Sequence, residues 1–116
     1  MEKTLYIVED DDNIRAVLRE LLESEGYKVL SAANGKDAIA ELSLLKEVPN
    51  LIITDLNMPV MDGEEFIELL KQIPKFAETP VIVLSAQMKK VKGTRAFLHK
   101  PFKFESLLDL LTKHCS

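Results

Sequence analysis

The chain predicts an α/β fold in which a parallel sheet of five strands carries helices on both faces. Three observations carry that prediction. Short apolar runs alternate with longer segments of helical period, the pattern of repeated βα units. The runs hold four or five residues and are rich in Ile and Val, too short for buried helices and too apolar for one-sided strands. Polar residues follow four of the runs at once: Glu9-Asp10-Asp11-Asp12 after Leu5-Tyr6-Ile7-Val8, Asp55 after Leu51-Ile52-Ile53-Thr54, Ser85 after Val81-Ile82-Val83-Leu84, and Lys100-Pro101 after Ala96-Phe97-Leu98-His99.

In order, Leu5–Val8 reads as the first strand. A helix follows over about Asp12–Glu25, with Ile14, Val17, Leu18, Leu21 and Leu22 on one apolar stripe. Gly26 ends it, and Tyr27–Ser31 reads as the second strand. Asn34-Gly35 marks a turn. The next helix turns Ala38, Ile39, Leu42 and Leu45 inward and stops before Pro49. Leu51–Thr54 reads as a buried strand. Met58-Pro59-Val60-Met61-Asp62-Gly63 is a loop whose Asp62 is placed to cap the third helix, which buries Phe66, Leu69, Leu70 and Ile73. Pro74 and Pro80 bracket an irregular connection to the strand Val81–Leu84. Ala96–His99 is the fifth strand, and Phe104, Leu107, Leu108 and Leu111 form the stripe of a closing helix.

With 116 residues, the chain fits one domain, residues 1–116, around one core. A net charge of −4 argues against nucleic acid as a direct partner. The single Cys115 excludes an internal disulfide and fits a reducing cytoplasmic setting; one residue from the end, it reads as a frayed-terminus thiol. No segment resembles a secretory signal, and no apolar stretch approaches the roughly 20 residues of a membrane span. His99 and His114 are isolated and match no zinc spacing. No nucleophile-elbow motif supports a Ser-His-Asp hydrolase.

If the apolar runs are parallel neighbours, their polar successors emerge at one sheet edge, where open α/β sheets bind ligands. Carboxylates, a hydroxyl and an ammonium gathered there suit a divalent cation and a phosphoryl group. Each residue also has a plainer reading. The acids after Val8 complement a helix dipole, which accounts for Asp12 and for part of Asp11. A carboxylate at Asp10 gains little from that role, since clustered acids repel without a cation. The plainer readings are a local turn cap for Asp55, a nearby backbone group satisfied by Ser85, and an ordinary core aromatic for Phe97.

Ile7-Val8-Glu9-Asp10-Asp11-Asp12-Asn13-Ile14-Arg15, Asp55-Leu56-Asn57-Met58-Pro59-Val60-Met61-Asp62-Gly63, Val83-Leu84-Ser85-Ala86 and Lys100-Pro101-Phe102 occur in the order of the receiver domain of bacterial two-component response regulators. The chain resembles that CheY-like family over almost its whole length, most specifically in the loop from Asp55 to Gly63. The resemblance implies a flavodoxin-like strand order 2-1-3-4-5 and phosphorelay signalling. It implies Asp55 as phosphoacceptor and Mg²⁺ held by Asp10 and Asp55, by Glu9 through water, and by the backbone carbonyl of Asn57. Lys100 would hold phosphoryl oxygens after a cis peptide before Pro101. Ser85 and Phe97 would act as switch residues, and Asn57 and Gln87 would tune phosphoryl lifetime.

One stretch departs from the family. Ser85 and Lys100 are separated by 14 residues, about seven short of the receiver pattern, or two helical turns. The connector Ala86–Arg95 can span roughly 33 Å when extended, but it has no room for a three-turn helix with two loops. The family's fourth helix is therefore expected to be reduced or absent, with Met88 and Val91 allowing at most one or two turns ended by Gly93. Lys89, Lys90, Lys92 and Arg95 make this connector basic. Receivers commonly signal through the face containing that helix, so the output face should be remodelled.

The expected function is that of a stand-alone response regulator. It would accept a phosphoryl group on Asp55 from the phospho-histidine of a sensor histidine kinase or phosphotransfer protein, in a Mg²⁺-dependent reaction. It would assist its own phosphorylation and dephosphorylation without being an enzyme on other substrates, and signal by binding a downstream protein. Two alternatives remain. A pseudo-receiver would bind partners without being phosphorylated. A Mg²⁺-dependent aspartyl phosphotransferase or phosphatase would turn over a separate substrate, and would need a substrate pocket that 116 residues hardly leave.

Overall fold

The computed structural model describes residues 2–87 and 89–115. Strand β1 (Thr4–Val8) leads through helix α1 (Asp12–Ser24) to β2 (Lys28–Ala32), and helix α2 (Gly35–Leu44) leads to β3 (Leu51–Asp55). Helix α3 (Gly63–Gln72) and a 3₁₀ turn (Pro74–Phe76) precede β4 (Val81–Ser85); β5 (Ala96–His99) and helix α4 (Phe104–His114) complete the fold. All strand pairs are parallel, in the order β2-β1-β3-β4-β5. The chain reverses direction across the sheet after β2, so a crevice opens beyond the carboxyl ends of β1 and β3.

The alternation of side chains along each strand builds two cores. Leu5, Ile7, Leu51, Ile53, Ile82 and Leu84 pack under α1 and α4. Tyr6, Val8, Ile52, Val81 and Val83 pack under α2 and α3. Fully buried side chains of this size each contribute roughly 1.5–3 kcal/mol, so the central strands anchor the edge at which the polar residues emerge.

Local chemistry sets the helix starts. Asp11, Asn34 and Asp62 each accept a hydrogen bond from the backbone N–H three residues on, at 2.9 Å in every case. Asp62 caps α3 as expected. Asn34-Gly35, expected as a turn, is instead the cap and first residue of α2. An Asn before a helical stripe serves either purpose, and the apolar pattern behind it decided the outcome.

Two helices sit differently from their stripes. On α1, Leu18 and Leu22 are buried, whereas Ile14, Val17 and Leu21 stay exposed. Leu18 and Leu22 pack into the sheet-side core, and Ile14, Val17 and Leu21 border a groove shared with Phe102 and Phe104. On α3, Ile67 is buried and Leu69 is exposed, because the connector after β4 presses against the Ile67 side. Cys115 is no frayed thiol. It is 5% exposed among Leu5, Leu107 and Leu111, its N–H bonds Leu111 O at 2.8 Å, and its carbonyl accepts from Lys3 Nζ at 2.7 Å. Burial pushes that thiol upward in pKa, against a smaller opposing pull from Lys3.

Between β4 and β5 no helix forms among the described residues; Met88 lies outside them. Val91 alone of the described connector residues is buried, against the α3-side core. Gly93 adopts φ +90° where the chain turns past Ile67, and Arg95 N–H bonds Val81 O at 2.8 Å to enter β5. Among the described residues, the four α-helices and the lack of one between β4 and β5 match the sequence expectation.

Candidate functional site

Four strand ends deliver the site. Parallel pairing sets Val8 beside Thr54, Asp55 beside Leu84, and Ser85 beside His99. Glu9, Asp55, Ser85 and Lys100 therefore leave the sheet within one residue of a common rim. Lys100 N–H bonds Ser85 O at 2.9 Å and Glu9 N–H bonds Ala32 O at 3.1 Å, which continues the ladder past the strands. The Lys100-Pro101 peptide is cis.

Lys100 Nζ lies 2.9 Å from Asp55 Oδ2 and 3.2 Å from Glu9 Oε1, bridging two carboxylates that are nearly enclosed by protein. The other oxygen of Asp55, Oδ1, accepts the backbone N–H groups of Leu56 (2.7 Å) and Asn57 (3.3 Å). These bonds fix the carboxylate at the start of the loop and set Asn57 beside it. Glu9 Oε2 accepts the N–H of Asp11 at 3.2 Å. Asp10 is exposed at the mouth, and one oxygen each from Glu9, Asp10 and Asp55 fall within 4.8 Å of one another.

The charges are unbalanced: three carboxylates face one ammonium. Independently of that imbalance, burial foremost, and hydrogen bonding to Asp10 in addition, raise the Glu9 pKa above 4.5 despite the opposing Asp11 N–H and Lys100. Burial by itself would lower the Lys100 ammonium. The hydrogen bond to Asp55 and the charges of Glu9 and Asp55 outweigh it, and the net shift is upward. A cluster of hard oxygen donors with a residual negative charge suits a small divalent cation such as Mg²⁺, and the donor set here fits one.

Ser85 is fully buried at the rim, where its hydroxyl oxygen accepts the N–H of Gln87 at 3.0 Å. In this state it serves the plainer role of satisfying a local backbone group. Phe97 is half-buried, faces the α3-side core and pairs in register with Val83. Its position suits both a core aromatic and a side chain able to move. Gln87 is exposed, and His99 Nε2 lies 2.9 Å from Ala86 O, tying the start of the connector to the end of β5.

Three supporting residues escaped the sequence reading. A Cβ on Gly63 would fall against the Asp55 carbonyl oxygen and within 2.8 Å of Leu56 Cα, so α3 starts in direct contact with the end of β3. A glycine in a first helical turn is a poor helix former, and that misfit was the available signal. Arg15 donates to Glu9 O at 2.8 Å and pairs with Asp12, holding the acidic loop to α1. Thr54 Oγ1 donates to Asp55 O at 2.8 Å. Neither of these last two has a signature that separates it from an ordinary surface arginine or strand threonine.

The family model for the response regulator receiver domain matches residues 5–112. This chain belongs to the response regulator receiver family. Among its relatives, sporulation initiation phosphotransferase F of Bacillus subtilis is 32% identical and aligns over 98% of this chain and 94% of that protein. The chemotaxis protein CheY4 of Vibrio cholerae superposes with a TM-score of 0.89 at 30% identity, over 98% of this chain and 99% of that one. The response regulator TrrA of Thermotoga maritima, solved in complex with Mg²⁺ and BeF, gives 0.84 at 27% identity over 96% and 97% of the two chains. Receivers of this family act in two-component signalling, and four acidic and basic strand-end residues of this receiver form one compact polar cluster.

Proposed function

We propose that this receiver accepts a phosphoryl group on Asp55 from a phospho-histidine donor, with Mg²⁺ bound by Glu9, Asp10 and Asp55 and the carbonyl of Asn57. The observation that carries the reading is the geometry at Asp55. One of its oxygens is held by two backbone N–H groups and the other by Lys100, at a rim with two further carboxylates. Mg²⁺ in such a site neutralises charge on the transferring group and on its acceptor. The new bond joins an Asp55 oxygen to phosphorus while the P–N bond of the donor breaks, and the imidazole leaves with the electron pair. Lys100 turns from the carboxylates to the phosphoryl oxygens as a compact, fully charged donor. Ser85 gives up the role of simple acceptor and donates a hydrogen bond from its hydroxyl to a phosphoryl oxygen.

These exchanges link phosphorylation to shape. Moving a two-state equilibrium from 1:99 to 99:1 takes about 5.5 kcal/mol, and charge-assisted hydrogen bonds of roughly 1.5–3 kcal/mol each from Ser85 and Lys100 approach that figure. Phe97 is the side chain placed to respond, because it fills the half-open layer beside the connector. The donor approaches over the apolar strip Ile14, Val17 and Leu21, which borders Phe102 and Phe104. Ile14 stands four residues after Asp10 and Phe102 two residues after Lys100, so the strip adjoins the rim that a donor must reach. A sensor kinase or phosphotransfer protein on this side and a downstream protein elsewhere complete the proposed circuit.

Acetyl phosphate with Mg²⁺ tests the reading. Intact-mass spectrometry should show one added phosphoryl group that is stable in acid and labile in base, and that Asp55→Asn or chelation of the metal abolishes. A wild-type chain that never gains the adduct would make this a pseudo-receiver, a reading favoured only by the remodelled connector. Sustained turnover of added phosphomonoesters would point to an enzyme instead.

A further inference from the structure

Of the four acids that follow β1, three are engaged in building the loop. Glu9 Oε2 accepts the N–H of Asp11 at 3.2 Å, Asp11 Oδ1 accepts the N–H of Ile14 at 2.9 Å, and Asp12 Oδ1 pairs with Arg15 Nη2 at 2.5 Å. Asp10 is exposed at the mouth of the site. Arg15 closes the loop from the helix side. Its Nη1 donates to Glu9 O at 2.8 Å, and its own N–H bonds Asp11 O at 2.9 Å. One residue thus holds the carbonyl immediately before Asp10 and the carbonyl of the residue immediately after it. The Arg15 side chain is only 21% exposed, so this is no freely solvated surface pair.

We infer that, given the Mg²⁺ site proposed above, Arg15 is a positioning residue for it, acting through the Glu9 carbonyl to keep the Asp10 carboxylate gathered with those of Glu9 and Asp55. Two effects of Arg15 have opposite signs. A guanidinium near a divalent cation repels it, so by charge alone the loss of Arg15 would tighten Mg²⁺ binding. That charge is already paired with Asp12, and the pair as a whole is neutral. Order works the other way. One oxygen each from Glu9, Asp10 and Asp55 fall within 4.8 Å of one another, and three such carboxylates repel until a cation joins them. A loop freed from Arg15 relieves that repulsion by letting Asp10 move out into solvent, and gathering it again costs conformational entropy at every binding event. The planar fork of arginine makes two directed bonds at once, to a carbonyl and to a carboxylate, which the single ammonium of lysine does not reproduce in the same geometry. Positioning therefore outweighs repulsion.

The test uses the full unphosphorylated chain, Mg²⁺ alone as the probe, and no phosphodonor. Amide NMR titration at constant ionic strength gives the metal affinity of the wild type, Arg15→Gln and Arg15→Lys. Both variants should bind Mg²⁺ about tenfold more weakly, the low end of the range for residues that hold a metal ligand in place. Without metal, hydrogen exchange at the amides of Asp10 to Asn13 should quicken in both, while exchange in β3 and β4 and the circular dichroism stay native. Acceleration throughout the sheet, in step with the loss of affinity, would mark a general loss of structure and overturn the inference. Charge alone predicts a different pattern, with wild-type affinity for Arg15→Lys and tighter binding for Arg15→Gln. Either result, in a wild type that binds Mg²⁺, would overturn the role of Arg15 and leave the metal assignment intact. A wild-type titration that stays flat, or one that Asp10→Asn and Asp55→Asn leave unchanged, would overturn the metal assignment and the role of Arg15 together.

Discussion

Replacing Gly63 by alanine puts a methyl group where the end of β3 already runs. The added carbon would lie against the Asp55 carbonyl oxygen, 3.0 Å from Asp55 C and 2.8 Å from Leu56 Cα, where ordinary contacts begin near 3.4 Å. The backbone would have to open by about 0.6 Å at Leu56 and by more at the carbonyl. It cannot open without carrying Asp55, whose carboxylate is tied to the N–H groups of Leu56 and Asn57. Two energies compete. Alanine in a helix gains up to about 1 kcal/mol over glycine, while overpacking costs typically 1–3 kcal/mol, so a net loss of about 1–2 kcal/mol is expected. For a chain of this size that corresponds to a melting point about 4–10 °C lower. The effect on chemistry should be larger, because a misplacement near 1 Å at a reacting group can cost up to about 100-fold. Thermal melting and the rate of acetyl-phosphate labelling read the two effects separately. Gly26→Ala is the control: its φ of +97° is unfavourable to alanine, yet nothing lies within 4 Å and it is remote from the site. It should cost about 1–2 kcal/mol and leave labelling unchanged. A Gly63→Ala variant that melts higher than wild type and labels at the wild-type rate would refute the steric argument.

Other predictions follow from the same geometry. Lys100→Met should destabilise by about 1–3 kcal/mol at pH 7, the modest end reflecting partial solvent exposure. Because the folded state raises the Lys100 pKa above 10.5, its contribution should be complete below that pH and fade as pH rises through the higher folded value; denaturant melts at pH 7 and 11 check it. Glu9 is raised above 4.5, so its ionisation opposes folding above that pH, and Mg²⁺ should raise Tm more at pH 7 than at pH 4.5. Val60 is a β-branched residue at φ 71° and is exposed, so Val60→Gly should gain about 1 kcal/mol in chemical denaturation; a loss would argue against the left-handed loop. Ile14→Asp should slow labelling by a phospho-histidine protein while leaving labelling by acetyl phosphate intact, and equal slowing of both would remove the apolar strip from the docking surface.

Much of the fold was legible because apolar runs and helical stripes carry periodic signals, and strand ends were marked by abrupt changes to charged residues. Strand order was not readable from periodicity and came from the resemblance alone. Errors collected where a local signal had two physical outcomes. Asn34-Gly35 can turn a chain or cap a helix, and the stripe on α1 continues onto a flank that no element covers. Leu69 and Ile67 exchanged roles because the connector packs on α3, a contact between segments distant in sequence. Cys115 looked terminal by position, yet helix α4 carries it back onto the sheet. At the site, Asp55 and Lys100 announced themselves by standing after buried strands, whereas Gly63 acts by lacking a side chain, which no chemical signature reports.

The most direct measurement is a crystal structure of the chain with Mg²⁺ and beryllium fluoride, a non-hydrolysable stand-in for the phosphoryl group. The account predicts beryllium bonded to an Asp55 oxygen, Mg²⁺ ligated by Asp10 and Asp55, and fluorides within hydrogen-bond reach of Ser85 Oγ and Lys100 Nζ. Fluoride complexes on another carboxylate, or a metal ion remote from Asp10 at saturating Mg²⁺, would contradict it.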